Sequence, residues 1–332
     1  MHELTLIVTD LYLDRKSEPR AGASAQRLSK LETLLSRGVS AEEGDWREWV
    51  CRRVLLPTRR PIPVAPIARF AEGHAPLAGQ TWLAQCVRLE AGLDRVFMSA
   101  ASPASFTPEE WREIERGFNQ TFGTTGQSLL DGEGGQAYLT GRLATAIDTV
   151  DPVRVRGGDI HSALPSGPDA VAVKRLMTEI QMWLHEHPVN MRREKRGIET
   201  VNALWIWGGG ELPDGGATIA LPALYGDDAF LNGVWRLKGG VNAPLPASLA
   251  ALDLTAHEVA VIALDSTPTT GQTHAQAMAA LESDWFAPAV AALRRGQLSR
   301  VQVHANDRLF ALDRSGLWRL WRRPRPWIEA LS

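Results

Sequence analysis

The sequence predicts an α/β fold, because helical and buried-strand patterns follow one another along most of the chain. Short, nearly continuous apolar runs occur at residues 4–9, 201–207 and 259–264, and such runs are typical of strands covered on both faces. Residues 168–187 carry apolar side chains at steps of three to five, which predicts an amphipathic helix. Since this helix leads into the 201–207 run, we expect that strand to be central in a mixed, mostly parallel sheet, with its tryptophans buried.

Length, charge and cysteine content limit the class of protein. A chain of 332 residues can bury a large core, and we expect two lobes. Its formal net charge of -2 gives no global attraction to nucleic acid or to anionic membranes. Cys51 and Cys86 lie in apolar surroundings, and no apolar run approaches the ~20 residues that span a bilayer. The N-terminus lacks the pattern of a signal peptide, so we expect a cytoplasmic protein without a membrane partner.

In the first half of the chain, helical spacing of leucine or tryptophan alternates with strand and connector patterns. Residues 25–37 and 46–55 predict helices. The proline-rich stretch 57–76 predicts a connector that lies over the surface. Residues 80–98 predict two strands joined at a turn, and residues 107–110 have the pattern of a capping box that begins a helix.

In the second half, we expect Pro188 to end the amphipathic helix. Residues 273–294 predict another helix, although Pro288 lies in its middle. Residues 301–311 predict a hairpin with an acidic residue at its turn. The segment 319–327 mixes arginine with tryptophan and predicts an exposed, semi-extended end.

Several long motifs carry a family resemblance. HPVN is followed by RREKRG and VNALWIWGGG, and further on by ALYGDDAFLNGVWRLKGG. This wording resembles that of archaeal-type, cofactor-independent phosphoglycerate mutases, which belong to the alkaline-phosphatase-like superfamily. The stretches EIQMWLHEHPVN, EEW, GQAYL and GGDIHSALPSGPDA are closer to a bacterial branch of RpfE-type regulatory proteins. The resemblance runs from about Trp82 to the C-terminus.

The resemblance implies an architecture. It is a three-layer alkaline-phosphatase-like α/β core with an inserted, smaller α+β lobe. On this basis we expect residues 1–78 and 151–332 to form the core and residues 79–150 to form the lobe.

The resemblance also implies a site in which two divalent cations, roughly 4 Å apart, assist phosphoryl transfer. By this likeness Asp10, directly after the first strand, is a candidate metal ligand; the alternative is an aspartate that only caps a turn. The mutases carry an early serine nucleophile, but residues 41–79 hold no matching motif. The nearest serines, Ser17, Ser24 and Ser36, lie in polar or helical contexts.

The late ligand motifs of the mutases are altered in this chain. Asp265 has no histidine four residues later, and His274 follows at nine. Asp307 precedes Arg308 where the mutases have a histidine, and a guanidinium cannot ligate a metal. We therefore expect the metal site to be lost and no cofactor to be bound. If manganese or zinc is retained, its candidate ligands are Asp10, Asp265, His274, His304 and Asp307.

Three further polar residues are candidates for a substrate cleft. Asn190, Arg193 and Asn202 surround the turn between the amphipathic helix and the 201–207 strand. They line the cleft together with Asp10 and Arg308, or else they satisfy the backbone of that turn. The glycines after the strand could cradle phosphate, but no P-loop lysine accompanies them.

These observations favour a non-catalytic relative of the mutases, a pseudoenzyme that acts as a regulatory or ligand-binding protein. Its expected partner is a phosphorylated or acidic small molecule. The alternative is an active metal-dependent phosphatase or phosphomutase with rearranged ligands. A nucleic-acid-binding regulator that uses the arginine-rich tail is a third class, with little else in its favour.

Overall fold

The structure is a computed structural model. It describes residues 2–12, 26–42, 44–57, 61–77, 79–99, 106–132, 136–141, 143, 147–268 and 272–331. The chain forms two compact units, which we call unit 1 (Met1–Pro57 and Gly215–Ser332) and unit 2 (Thr58–Asp214). None of the described helices is both long enough and apolar enough to cross a bilayer.

The described elements alternate along the chain as the sequence predicts. The strands are β1 (Glu3–Val8), β2 (Val39–Glu42), β3 (Thr81–Val87), β4 (Leu89–Ala91), β5 (Val96–Met98), β6 (Gln127–Asp131), β7 (Ala137–Gly141), β8 (Ala203–Gly210), β9 (Ala223–Tyr225), β10 (Asn242–Ala243), β11 (Val259–Leu264), β12 (Arg300–Ala305) and β13 (Arg308–Asp313). The α-helices are α1 (Ser29–Arg37), α2 (Trp46–Arg53), α3 (Val64–Ala71), α4 (Pro108–Phe122), α5 (Ala170–Glu186), α6 (Pro188–Lys195), α7 (Ala229–Leu237), α8 (His274–Leu281), α9 (Ala287–Arg295) and α10 (Trp327–Leu331).

Unit 1 is built on a seven-stranded sheet of order β10-β9-β11-β1-β12-β13-β2. The pairings from β10 to β12 are parallel, whereas β13 is antiparallel to both β12 and β2. The sheet is therefore mixed and mostly parallel, as predicted, and the fold is α/β.

Alternate side chains of β1 face two helical layers. Leu4 and Leu6 pack into a core cluster that includes residues of α1, α9 and α10. Thr5, on the opposite face, lines a small cavity with Trp49 of α2 and Trp235 of α7. Because successive strand residues point to opposite faces, helices cover the sheet on both sides and give unit 1 three layers.

Unit 2 is built on a four-stranded antiparallel sheet of order β6-β7-β3-β8. Its core contains apolar residues of β3, β7 and β8 together with residues of α4 and α5, among them Trp82, Phe118 and Ile180. Thr107 and Glu110 form the predicted capping box at the start of α4. Helices on an antiparallel sheet are typical of an α+β arrangement.

The prediction that residues 201–207 form a central strand is wrong. Residues 201–207 lie largely in β8, which is the edge strand of the unit 2 sheet and pairs only with β3 among the named strands. Trp205 and Trp207 are nevertheless buried, as predicted. The indole Nε1 of Trp205 donates to the Val150 carbonyl at 2.8 Å, so the chain at Val150 lies against this tryptophan. A continuous apolar run indicates burial on both faces, but it does not identify the sheet.

The glycines that end β8 serve close packing. A side chain at Gly209 would meet the indole ring of Trp82 at 2.0 Å, so the ring lies directly over the glycine backbone. A side chain at Gly208 would meet Val64 at 2.9 Å, and one at Gly210 would meet Pro63 at 2.6 Å. Close packing therefore explains all three glycines without a phosphate.

The unit boundaries differ from the predicted ones. The chain leaves unit 1 after Pro57 and returns at Gly215, whereas the predicted lobe spanned residues 79–150. The inserted unit is larger because the helix and strand of residues 170–210 complete its core.

The prediction that residues 57–76 form a surface connector is also wrong, because this stretch contains α3. Pro63 precedes this helix and Pro66 lies in its first turn, where proline costs no helical hydrogen bond.

Candidate functional site

Three aspartates follow parallel strands of unit 1 at the same edge of the sheet. Asp10 comes after β1, Asp265 comes directly after β11, and Asp307 lies at the turn after β12. Because β11 and β12 both pair in parallel with β1, their carboxyl ends meet at one edge. Open α/β sheets place binding sites at this edge, so it is the candidate site of unit 1.

The Asp10 carboxylate is held by the chain that follows β11. Its Oδ1 accepts a hydrogen bond from the Ser266 amide at 2.7 Å. Its Oδ2 accepts from the Ser266 hydroxyl at 3.0 Å and from the Thr267 hydroxyl at 2.9 Å. The Thr267 amide in turn donates to Asp265 Oδ1 at 2.7 Å. The two carboxylates are therefore joined through a single short segment.

Burial and a like charge act together on Asp10. Desolvation of the carboxylate and the negative charge of Asp265 raise the pKa of Asp10 to about 6, and the Ser266 and Thr267 hydrogen bonds offset part of that rise. This carboxyl group therefore titrates near pH 6, which is a pKa suited to a general acid or base.

The third aspartate lies in a tight turn. Asn306 and Asp307 have φ values of 49° and 60°, which is the left-handed conformation of a two-residue hairpin turn. The Asn306 amide donates to the Leu11 carbonyl at 3.1 Å, which holds the turn beside the chain that follows Asp10. The Asp307 carbonyl accepts from the Gly44 amide at 3.2 Å.

Arg308 and the two candidate histidines lie on β13, β12 and α8 of unit 1. Arg308 Nη1 donates to the Ala330 carbonyl at 3.2 Å, and its guanidinium lies over the Phe310 ring. His304 is fully buried on β12, with its ring centroid 5.8 Å from that of Trp49. His274 is the first residue of α8. The Arg308 guanidinium thus binds the C-terminal helix, and its predicted grouping with Asp10 stays a prediction.

The other cleft candidates, Asn190, Arg193 and Asn202, bind groups within unit 2, and their assignment to a cleft stays a prediction. Asn190 Nδ2 donates to the carbonyls of Leu184 and Val201, at 2.8 and 2.6 Å. Asn202 makes a reciprocal pair of hydrogen bonds with the Leu89 backbone. Arg193 is buried and pairs with Glu110 at 2.7 Å. Asn190 thus satisfies backbone on both sides of the turn, as the alternative predicts, whereas Asn202 binds a remote strand and Arg193 pairs with a carboxylate.

In this arrangement most acceptor sites of the Asp10 carboxylate are already hydrogen-bonded. Asp10 Oδ2 accepts two hydrogen bonds, which uses both of its lone pairs, whereas Oδ1 accepts one and keeps a single free lone pair. His304 is enclosed beside Trp49. Within the described ranges, no three His, Cys, Asp or Glu side chains are grouped so that they could hold a metal ion. Ser17 and Ser24, two of the nearest serines considered above, fall outside those ranges.

Sequence reasoning missed Ser266 and Thr267. Both hydroxyls follow Asp265 in the segment LDSTP, at the end of a predicted strand. A pair of hydroxyls at that position is a signal for hydrogen bonding to a neighbouring carboxylate, but the partner, Asp10, is more than 250 positions away.

Comparison with known proteins gives partial matches to one kind of enzyme. No family model matches the chain. It is 28% identical over 142 residues to a 2,3-bisphosphoglycerate-independent phosphoglycerate mutase of Methanothrix thermoacetophila, which covers 43% of this chain and 35% of that one. It is 32% identical over 98 residues to the enzyme of the same name from Methanosarcina mazei, covering 29% of this chain and 24% of the relative. The matches thus span about a third of these relatives or less, and they indicate homology to the phosphoglycerate mutases at low identity.

Two solved structures are also similar over most of their length. A cofactor-independent phosphoglycerate mutase from Thermoplasma acidophilum aligns with 94% of this chain and 89% of its own, at 17% identity and a TM-score of 0.38. A protein from Pyrococcus horikoshii aligns with 94% and 87%, at 12% identity and a TM-score of 0.43.

Proposed function

We propose that this chain is a non-catalytic relative of the phosphoglycerate mutases that serves as a regulatory or ligand-binding protein. The observation that carries the proposal is the state of Asp10 Oδ2, both of whose lone pairs are taken by the hydroxyls of Ser266 and Thr267. Hydrogen-bond donors thus fill one oxygen of the carboxylate that the resemblance assigns to a cation, and the Ser266 amide binds the other. Homology to the mutases suggests the ligand class, a phosphorylated or acidic small molecule.

Arg308 supports the same interpretation. It follows Asp307, where the mutases have a histidine, and its guanidinium binds the Ala330 carbonyl and the Phe310 ring. An arginine supplies positive charge without ligating a metal. Phosphoryl transfer depends on charge-stabilising groups that act as a unit, so the loss of several of them removes activity rather than reducing it slightly.

The alternative is an active metal-dependent phosphatase or phosphomutase. Asp10 and Asp265 favour it, because the two carboxylates remain at one edge of the sheet and interact. A manganese or zinc ion bound there would neutralise charge on a phosphoryl group, and Asp10 and Asp265 would hold it.

One experiment separates the two functions. The full chain is purified without chelator, and its manganese and zinc contents are measured by mass spectrometry together with hydrolysis of p-nitrophenyl phosphate and interconversion of phosphoglycerates. We expect neither stoichiometric metal nor turnover, and we expect phosphoglycerate to bind by calorimetry. Retained metal, with hydrolysis that Asp265→Asn abolishes and Asp253→Asn preserves, would overturn the proposal. Asp253 is a suitable control because it is exposed and its carboxylate accepts from the amide and hydroxyl of Thr255 in its own turn.

A further inference from the structure

The segment of unit 1 that follows β13 exposes three large apolar side chains. Trp318, Leu320 and Trp321 are 74%, 64% and 77% exposed. They lie between two buried residues, Leu317 and Trp327, so the segment is fixed at both ends. Two large indoles and a leucine in solvent mark an interaction surface, because soluble surfaces rarely leave such a cluster unused.

The backbone of this segment is held in place by its own arginines. Arg319 Nη1 donates to the Arg37 carbonyl at 2.9 Å, and Arg322 Nη1 donates to the Gly38 carbonyl at 3.0 Å. Both carbonyls belong to the carboxyl end of α1, where carbonyls lack helical partners and the helix dipole favours cations. These two hydrogen bonds therefore fix the backbone of the segment without a bound partner.

The same segment is strongly cationic. Residues 314–327 contain five arginines and no acidic residue. Arg323 and Arg325 are exposed, and within the described part of the chain neither forms an ion pair with a carboxylate. We call Trp318, Leu320, Trp321, Arg323 and Arg325 the tail surface. Its charge complements an anionic partner.

We infer that the tail surface docks on anionic phospholipid membranes. Arginine pairs with lipid phosphate, while tryptophan and leucine enter the interface below the headgroups, which is the composition of proteins that lie on a membrane. Leu320 adds apolar area that a base-stacking surface does not use. The three apolar side chains offer on the order of 400 Å², whereas one side of a standard protein interface buries about 800 Å².

This inference revises the expectation of no membrane partner. That expectation rested on overall charge and on the lack of a spanning segment, and neither property reports a local cationic and aromatic surface.

The test is cosedimentation of the full chain with vesicles of phosphatidylcholine alone or mixed equally with phosphatidylserine. We expect binding only to the phosphatidylserine vesicles, with a loss of affinity as salt is raised. Trp318→Ala with Trp321→Ala should weaken binding at least tenfold, and Arg323→Gln with Arg325→Gln should weaken it about thirtyfold. Leu93→Ser is the matched control, because Leu93 is fully exposed on a hairpin of unit 2.

Thermal unfolding of each variant verifies that the fold is retained, which is expected since the replaced side chains are exposed. Absence of binding to phosphatidylserine vesicles would overturn the inference, as would equal binding by the wild type and both double variants. Binding of a fluorescent oligothymidylate that requires the two tryptophans, without vesicle binding, would overturn it in favour of nucleic acid.

Discussion

At the scale of the residue, Asp10 shows how environment changes the behaviour of a carboxyl group. Its ordinary pKa of 3.8 rises to about 6, chiefly through desolvation and secondly through the charge of Asp265. The unfolded chain ionises this group near pH 3.8, and the folded chain ionises it near pH 6. Stability that Asp10 contributes below pH 3.8 is therefore lost as the pH rises to about 6.

Asp10→Asn should thus increase the free energy of unfolding at pH 8, by up to about 3 kcal/mol. The amide can still accept from the Ser266 backbone, and the two hydroxyls can rotate to accept from it. Urea unfolding of the wild type and of Asp10→Asn measures the effect. The difference between their free energies of unfolding should become smaller as the pH falls from 6 towards 4. Asp265→Asn should give a smaller gain, because it removes only the charge repulsion. A less stable Asp10→Asn protein at pH 8 would contradict the assigned cause.

Trp205 illustrates a second residue-scale point, since its burial does not depend on a central strand. It is 1% exposed, and its indole donates to the Val150 carbonyl. Trp205→Ala should cost about 3–5 kcal/mol of unfolding free energy, from the cavity and the unpaired carbonyl. Trp321→Ala, at an exposed position, should cost almost nothing. Equal losses in the two variants would show that burial is not the cause.

At the scale of the element, α1 depends on a partner that is distant in sequence. Its own N-cap residue, Leu28, provides no side-chain cap. Glu282, in a π-helical turn between α8 and α9, instead accepts from the Lys30 and Leu31 amides at 2.6 and 3.0 Å. A carboxylate at a helix N-terminus satisfies orphan amides and complements the helix dipole.

Glu282→Ala should therefore lower the free energy of unfolding by about 1–3 kcal/mol. Glu282→Gln keeps an acceptor but loses the charge, so its cost should be smaller. Glu329→Gln, on the exposed side of α10, is the control and should be neutral. If the alanine and the control variants unfold at the same denaturant concentration, Glu282 does not stabilise α1.

At the scale of the whole molecule, an inserted unit with its own core interrupts an α/β unit. Among the residues that the structure describes, one core cluster lies wholly in unit 1 and another wholly in unit 2. Within unit 1, the buried ammonium of Lys238 donates to the carbonyls of Gly215 and Ala217, at 2.9 and 2.5 Å, and of Leu55 at 3.5 Å. One side chain thus joins the chain before the insertion to the chain after it.

Because unit 2 has a separate core, residues 58–214 expressed alone should fold. We expect cooperative thermal unfolding and a near-ultraviolet circular dichroism signal from the buried Trp82 and Trp205. Trp205→Ala in this fragment should lower the melting temperature. A fragment that lacks both cooperative unfolding and the near-ultraviolet signal would show that unit 2 depends on unit 1.

The sequence by itself determined most of the elements, because strands, helices and caps follow from local periodicity and capping residues. The α/β class, the strand at 259–264 and the capping box at Thr107 are examples. It also placed Asp10 and Asp265 at strand ends. Only the tertiary structure decided that β8 belongs to the antiparallel sheet of unit 2, and that Ser266 and Thr267 occupy the Asp10 carboxylate. The physical reason is that periodicity reports how much of a segment is buried, whereas partners remote in sequence are chosen by packing and hydrogen bonding in the folded chain.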